Sequence, residues 1–191
     1  MRKTVDQMST YSCRFWIAAS ACVCTILATG TSSGQWLEDF KKPVAKEWIK
    51  SSQGFGAQLL FTGEPEEFLE NWNKPTPGVK ISQSESAVRG KPHGVFIVFT
   101  GCANDEKGLA DVVADLMVLK PDGTVYGEEK DLEVWQKKPA PPSKQLGLSA
   151  GYMMIVIEAK DQAGDYEVRA KVHDRVKDVV LKLKWKFSVS K

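Results

Sequence analysis

The segment Tyr166-Glu167-Val168-Arg169-Ala170-Lys171-Val172-His173 is followed, after a short polar interval, by Leu181-Lys182-Leu183-Lys184-Trp185-Lys186-Phe187-Ser188-Val189. Both segments alternate apolar and polar residues with a period of two, the pattern of a strand that buries one face. Facing the apolar sets together pairs Val172 with Leu181, Ala170 with Leu183, Val168 with Trp185 and Tyr166 with Phe187. Arg175-Val176-Lys177-Asp178 is then the connecting loop. A slip of one residue would drive lysine ammonium groups into the core, so this register is tightly specified. Trp185 points inward, and Arg169, Lys171, Lys182, Lys184 and Lys186 face solvent.

The same strand signal recurs upstream. Phe55–Thr62, His93–Phe99, Val112–Lys120, Leu132–Trp135, Gln145–Ser149 and Tyr152–Glu158 read as strands, and Thr124–Tyr126 as a return after the turn Pro121-Asp122-Gly123. Glu64–Trp72 reads as a short helix, with Pro65 and acidic residues in its first turn where the helix dipole favours them. A proline-rich loop, Asn73–Gly78, follows it. Eight or nine short strands without long crossover helices predict a mainly β, antiparallel sandwich over residues 55–191. Residues 31–54 are expected as an N-terminal helical segment. Trp36, Leu37, Phe40, Val44 and Trp48 fall near one face of a helix over 35–50, interrupted by Pro43.

The first thirty residues read as a secretory signal peptide. Arg2, Lys3 and Arg14 precede an uncharged run from Phe15 to Thr29, and a small polar exit, Gly30-Thr31-Ser32-Ser33-Gly34, follows. Ala28-Thr29-Gly30 marks the expected cleavage site, with a cut after Gly34 as the alternative. A retained membrane anchor is the competing reading, but the run falls short of the roughly 20 residues that a spanning helix needs. Ala19-Ser20-Ala21-Cys22 also resembles a bacterial lipobox, with Ala19 where Leu is usual.

The expected product is therefore secreted or periplasmic, with no stable membrane span. The full chain has 191 residues, 26 Lys plus Arg, 24 Asp plus Glu and 42% hydrophobic residues, which excludes a disordered chain. Cleavage removes Arg2, Lys3, Arg14 and Asp6, leaving the mature chain with no net charge, which disfavours nucleic acid as a partner. It also removes Cys13, Cys22 and Cys24, so Cys102 is the one thiol left and no intramolecular disulfide can form.

Asp161-Gln162-Ala163-Gly164-Asp165-Tyr166-Glu167-Val168 resembles the tyrosine corner of immunoglobulin-like and fibronectin type III-like sandwiches. Val168 stands where the immunoglobulin pattern has its second cysteine, so that family's disulfide is absent. Together with Phe99-Thr100-Gly101-Cys102 and Leu119-Lys120-Pro121-Asp122-Gly123, the layout resembles uncharacterised exported bacterial proteins built on such a sandwich. The resemblance implies a fold and a compartment and carries no catalytic residues.

Several constellations could carry chemistry. Gly147-Leu148-Ser149-Ala150-Gly151 matches G-x-S-x-G, and Asp161 and His173 follow in the order of an α/β-hydrolase triad. That chemistry needs a sharp strand-to-helix elbow, yet a strand-like run follows Ser149. His93, His173, Cys102, Met117, Met153 and Met154 offer soft ligands for a copper carrier, although one of the two adjacent methionines should face the core. Asn104, Asp105, Glu106 and Asp111 lack calcium-loop spacing. Cys102, next to an apolar strand, reads as a buried inert thiol, with pairing to another chain or reaction as the alternative.

The basic hairpin face, Arg169, Lys171, Lys182, Lys184 and Lys186, is either a solvated surface or a patch for an anionic partner: lipid headgroup, envelope glycan or acidic protein. The acidic run Glu128–Glu133 could complement it in self-association. The sequence thus reads as an exported, non-catalytic binding or interaction module without a cofactor. A serine hydrolase using Ser149 and a periplasmic metal carrier are the alternatives. Expressed in a secreting bacterial host, the protein should mature to a chain beginning at Thr31. Intact-mass measurement checks this, and a product retaining Met1–Gly30 removes the signal-peptide reading.

Overall fold

The computed structural model describes residues 46–74, 83–142 and 144–191. Its elements are β1 (Ile49–Ser52), β2 (Phe55–Thr62), α1 (Pro65–Asn73), β3 (Ser86–Ala87), β4 (Pro92–Thr100), β5 (Ala110–Leu119), β6 (Val125–Lys138), β7 (Gly147–Leu148), β8 (Met153–Val156), β9 (Gly164–Asp174) and β10 (Val179–Val189). They form two five-stranded sheets. One runs β1-β2-β4, with β7 and β8 both pairing the far side of β4, and the other runs β3-β10-β9-β5-β6. Inward side chains of both sheets, among them Leu59, Phe61, Ile97, Phe99, Val112, Val168, Leu183 and Phe187, join one apolar core.

The β9–β10 hairpin has the register read from its sequence. Leu181 lies opposite Val172, Leu183 opposite Ala170, Trp185 opposite Val168 and Phe187 opposite Tyr166. Trp185 packs half-buried against the core, and its indole N–H donates to Ser84 O at 2.9 Å. The intervening lysines are exposed. The strip β3 departs from the antiparallel expectation, because it pairs in parallel with the end of β10.

The expected N-terminal helix is corrected where it can be seen. Its part over residues 31–45 lies outside the described residues, but Ile49–Ser52 is a strand, so sheet structure begins before residue 55. The cause is the turn. Gln53 and Gly54 both take positive φ, 49° and 79°, which is the backbone that a two-residue hairpin loop demands. Ser52 then faces Phe55, and Ile49 faces Gln58. Trp48 owes its burial to a corner between the sheets rather than to a helix face. Its carbonyl accepts from Leu59 N–H, while its ring meets Trp185 edge-on at 5.7 Å. Glu47 O accepts from Lys184 N–H at 2.8 Å, which covers part of the second edge of β10.

The sequence predicts two pieces, Thr124–Tyr126 and Leu132–Trp135, where the structure has the single long strand β6. Register shifts against β5 and positive φ at Asp131 break its alternation through the charged stretch Glu128–Glu133, and a further shift with positive φ at Lys137 falls near its end, while pairing continues on either side of each. The helix α1 forms where the sequence placed it, with Pro65 in its first turn and Glu66 and Glu67 beside it. It lays Phe68, Leu69 and Trp72 against Leu60, Phe96 and Val98 on the outer face of the first sheet. Every residue of β2 is therefore buried, because both faces of the strand are covered.

Tyr166 is buried, and its hydroxyl donates to Gln162 O at 2.8 Å, four residues upstream. The turn is tied down further by Arg89, whose guanidinium donates to Ser190 O, Glu158 O and Asp161 O.

At Gly94, opposite Met154, the ring of Phe96 lies over the backbone, and an added Cβ would clash with that ring and with Pro65 Cβ. Gly94→Ala should therefore destabilise the fold by about 1–3 kcal/mol, as other forced overpacking does. Urea denaturation measures it, and an unchanged midpoint would show that α1 yields freely.

Candidate functional site

The register of β5, β9 and β10 sets three rows of side chains across the second sheet. Asp115, Lys171 and Lys182 form one row, and Met117, Arg169 and Lys184 another; both face outward. Between them Leu116, Ala170 and Leu183 send their side chains inward, leaving backbone as the floor. Glu47 and Lys50 rise along one side and Glu128 and Lys130 along the other, closing a groove of about 530 Å³. Six basic side chains and three acidic ones line it, and none of the described lining residues is aromatic.

Like charges stand directly opposite in two places, Lys171 with Lys182 and Arg169 with Lys184, an arrangement that costs stability. The surroundings offset part of that cost. Lys171 Nζ lies 3.6 Å from Asp115, Lys184 Nζ 3.3 Å from Glu47, and Arg169 Nε 2.6 Å from Glu167. Glu167 sits across from Lys186 in the register, but its carboxylate pairs with Arg169 on its own strand. Neither Lys182 nor Lys186 forms an ion pair among the described residues.

The predicted patch residues Arg169, Lys171, Lys182 and Lys184 thus share one groove, whereas Lys186 lies one repeat farther along β10, outside it. Sequence reading missed Glu47, Lys50 and Asp115, considered Met117 only as a soft metal ligand, and read Glu128 and Lys130 as part of a separate acidic patch for self-association, whereas they line the same groove as the basic face. They arrive from three other strands or strand edges, and alternation within one hairpin says nothing about its neighbours.

The candidate catalytic groups are dispersed into structural bonds. Ser149 is buried; its Oγ accepts from Ile97 N–H at 3.2 Å and its own N–H donates to Ile97 O at 2.8 Å. No helix follows it. Asp161 Oδ2 accepts from Glu158 N–H and lies 2.7 Å from the Tyr126 hydroxyl, a bond that holds its carboxyl below the usual range. Burial raises the Tyr126 phenol, and the Asp161 carboxylate adds to that shift. His173 pairs with Asp178 in the hairpin loop at 3.2 Å. No hydrogen bond links Ser149, Asp161 and His173 to one another among the described residues.

Cys102 is buried, and desolvation, with the Asp174 carboxylate adding to it, pushes its thiol up to about 11. Asp174, also fully buried, accepts backbone N–H bonds from Ala103, Val176 and Lys177, so it ties the hairpin loop to the segment after β4. Met153 packs on the core and Met154 is exposed. Among the described residues no group of three or more His, Cys, Asp or Glu converges as a metal site would require. Asp105 accepts from Lys107 and Leu109 N–H, Asn104 from Ala140 N–H, and Asp111 binds Gln136 and Arg175.

His93 is a structural histidine. It is buried and stacked on Phe61, with ring centroids 5.3 Å apart. Val88 N–H donates to Nε2, so Nδ1 carries the proton and donates to Lys91 O at 3.0 Å. Burial lowers its pKa, and protonation would set a second N–H against that of Val88.

No protein-family model matches the chain, and a search of curated proteins returns no match. Among solved structures the chain is similar to a Niemann-Pick type C2 protein from the Japanese carpenter ant. Identity is 16%, 57% of this chain and 82% of that one are covered, and the TM-score is 0.37. It is also similar to a family 123 glycoside hydrolase from Clostridium perfringens, at 10% identity and a TM-score of 0.40. There 71% of this chain covers 27% of that one.

Because His93 is held neutral in the folded state, its contribution to stability is complete above the unfolded value of 6.5. It is lost as pH falls below that value toward the lowered folded pKa, at about 1.4 kcal/mol for each unit of separation. An NMR titration of the His93 ring should give a midpoint below 6.5, and a midpoint at or above it refutes the assignment.

Proposed function

We propose that this chain is an exported, non-catalytic binding module on an immunoglobulin-like sandwich, and that its groove takes an anionic partner: an acidic protein, a glycan or another envelope component. The observation that carries the reading is the groove itself. It is exposed, walled on two sides, and rich in cations, including Lys182, which forms no ion pair among the described residues. The hydroxyl donated by Tyr166 to Gln162 O and the two sheets sharing one core support the immunoglobulin-like assignment. The non-catalytic reading rests on Ser149, His93 and Cys102, whose reactive atoms are buried and, for the first two, already hydrogen-bonded to backbone. Export rests on the leader-like composition of residues 1–30.

Lys171→Glu/Lys182→Glu tests the reading. Both side chains are exposed, so the fold should survive, which circular dichroism checks. At low salt the wild type should bind at least one of two probes, dextran sulfate or phosphatidylglycerol vesicles. The double variant should lose roughly tenfold in affinity, equivalent to about 1.4 kcal/mol. Binding that is equal in both proteins, or absent in the wild type, overturns the assignment.

A further inference from the structure

We infer that the groove's ligand is a linear polyphosphodiester, a chain of phosphates joined by short diols, lying along β10 from Lys182 past Lys184 to Lys186. The inference rests on the reading of the groove as an anion-binding face.

Three features select this chemistry. The first is spacing. Lys182, Lys184 and Lys186 alternate on one exposed face of β10, so the Cα atoms that carry neighbouring cations are about 6.6 Å apart and those of the outer two about 13 Å apart. A three-carbon diol between successive phosphates gives a charge repeat of that size, so one chain can meet all three ammonium groups in turn.

The second feature is shape. The floor spans β5, β9 and β10, about 10 Å across at ordinary strand spacing, with Glu47 and Lys50 on one rim and Glu128 and Lys130 on the other. A thin chain can enter between these rims and reach the floor, whereas a flat bilayer rests on the rims. The third is the absence of rings from the described lining. Nucleobases find no stacking platform, so a nucleic acid would gain only its backbone contacts here.

Glu47 has a defined part in this site. Its carboxylate lies 3.3 Å from Lys184 and 3.8 Å from Lys50, where an incoming phosphate would sit. It therefore competes with the ligand from within the protein, and Glu47→Gln should raise affinity several-fold.

The experiment is a titration of the protein with glycerol phosphate, with synthetic oligomers of two to six glycerol phosphates, and with three comparators: a poly-glutamate of matched charge, a single-stranded oligonucleotide and phosphatidylglycerol vesicles. Affinity should climb with oligomer length and level off once the chain spans Lys182 to Lys186. The logarithm of affinity should fall against the logarithm of salt with a slope of about −2 for three phosphate contacts. Lys186→Gln should reduce that slope by about 0.7 and weaken the longer oligomers most, because they are the ones that reach it. Three results would each overturn the inference: no dependence on length, equal affinity for poly-glutamate or the oligonucleotide, or binding to vesicles without binding to the polymer. Retained binding to dextran sulfate with none to the glycerol phosphate series would sink the ligand class alone. Loss of every polyanion would take the groove's proposed function with it.

Discussion

One constraint organises this molecule: the β9–β10 register, in which each step of a single residue exchanges a core side chain for a charged one. Val168, Ala170 and Val172 meet Trp185, Leu183 and Leu181, so the opposite face of the same ladder has no choice but to align Arg169, Lys171, Lys182 and Lys184. The core and the basic face are two sides of the same pairing. Because β5 joins β9 with Leu116 level with Ala170, Asp115 and Met117 are drawn into the outward rows as well. The cross-strand repulsion is tolerated because the hydrophobic gain on the inner face is larger than the loss among exposed, screened ammonium groups.

Elsewhere the chain commits its reactive side chains to architecture. Ser149 extends the pairing of β4 beyond β7, His93 ties Val88 to Lys91, Asp174 collects three backbone donors, and Asp161 with Tyr126 and Arg89 secures the corner beneath Tyr166. Each is a buried or turn-forming polar group whose partners must be supplied once water is excluded. Residue types that suggest catalysis in a linear string are here the groups that satisfy backbone atoms at sheet ends and corners.

Legibility followed the range of the interactions. The hairpin, the buried runs of β2 and β4, the turn after β5 and the helix α1 depend on neighbours in sequence or on one period, and they can be read directly. The segment around Trp48 could not. Its spacing from Val44 fits a helix, but pairing with β2 and contact with Trp185, 137 positions away, outweigh that local preference. Bulges split the apparent pattern of β6, and the two-residue β3 has too little sequence to announce itself. The site followed the same division: four of the groove's cations were legible from one hairpin, and its rims were not.

By itself, then, the sequence determined a β-rich chain, the pairing of its last two strands, the inward turn of Trp185 and the outward row of lysines. A period-two pattern leaves only one low-energy way to face an apolar set toward a core. Tertiary structure decided that Glu47, Lys50, Asp115 and Lys130 would surround those lysines, and that Ser149, Asp161 and His173 would stand in separate bonds. Strand order and sheet closure bring distant residues together through long-range contacts, and no local periodicity encodes which strands will be neighbours.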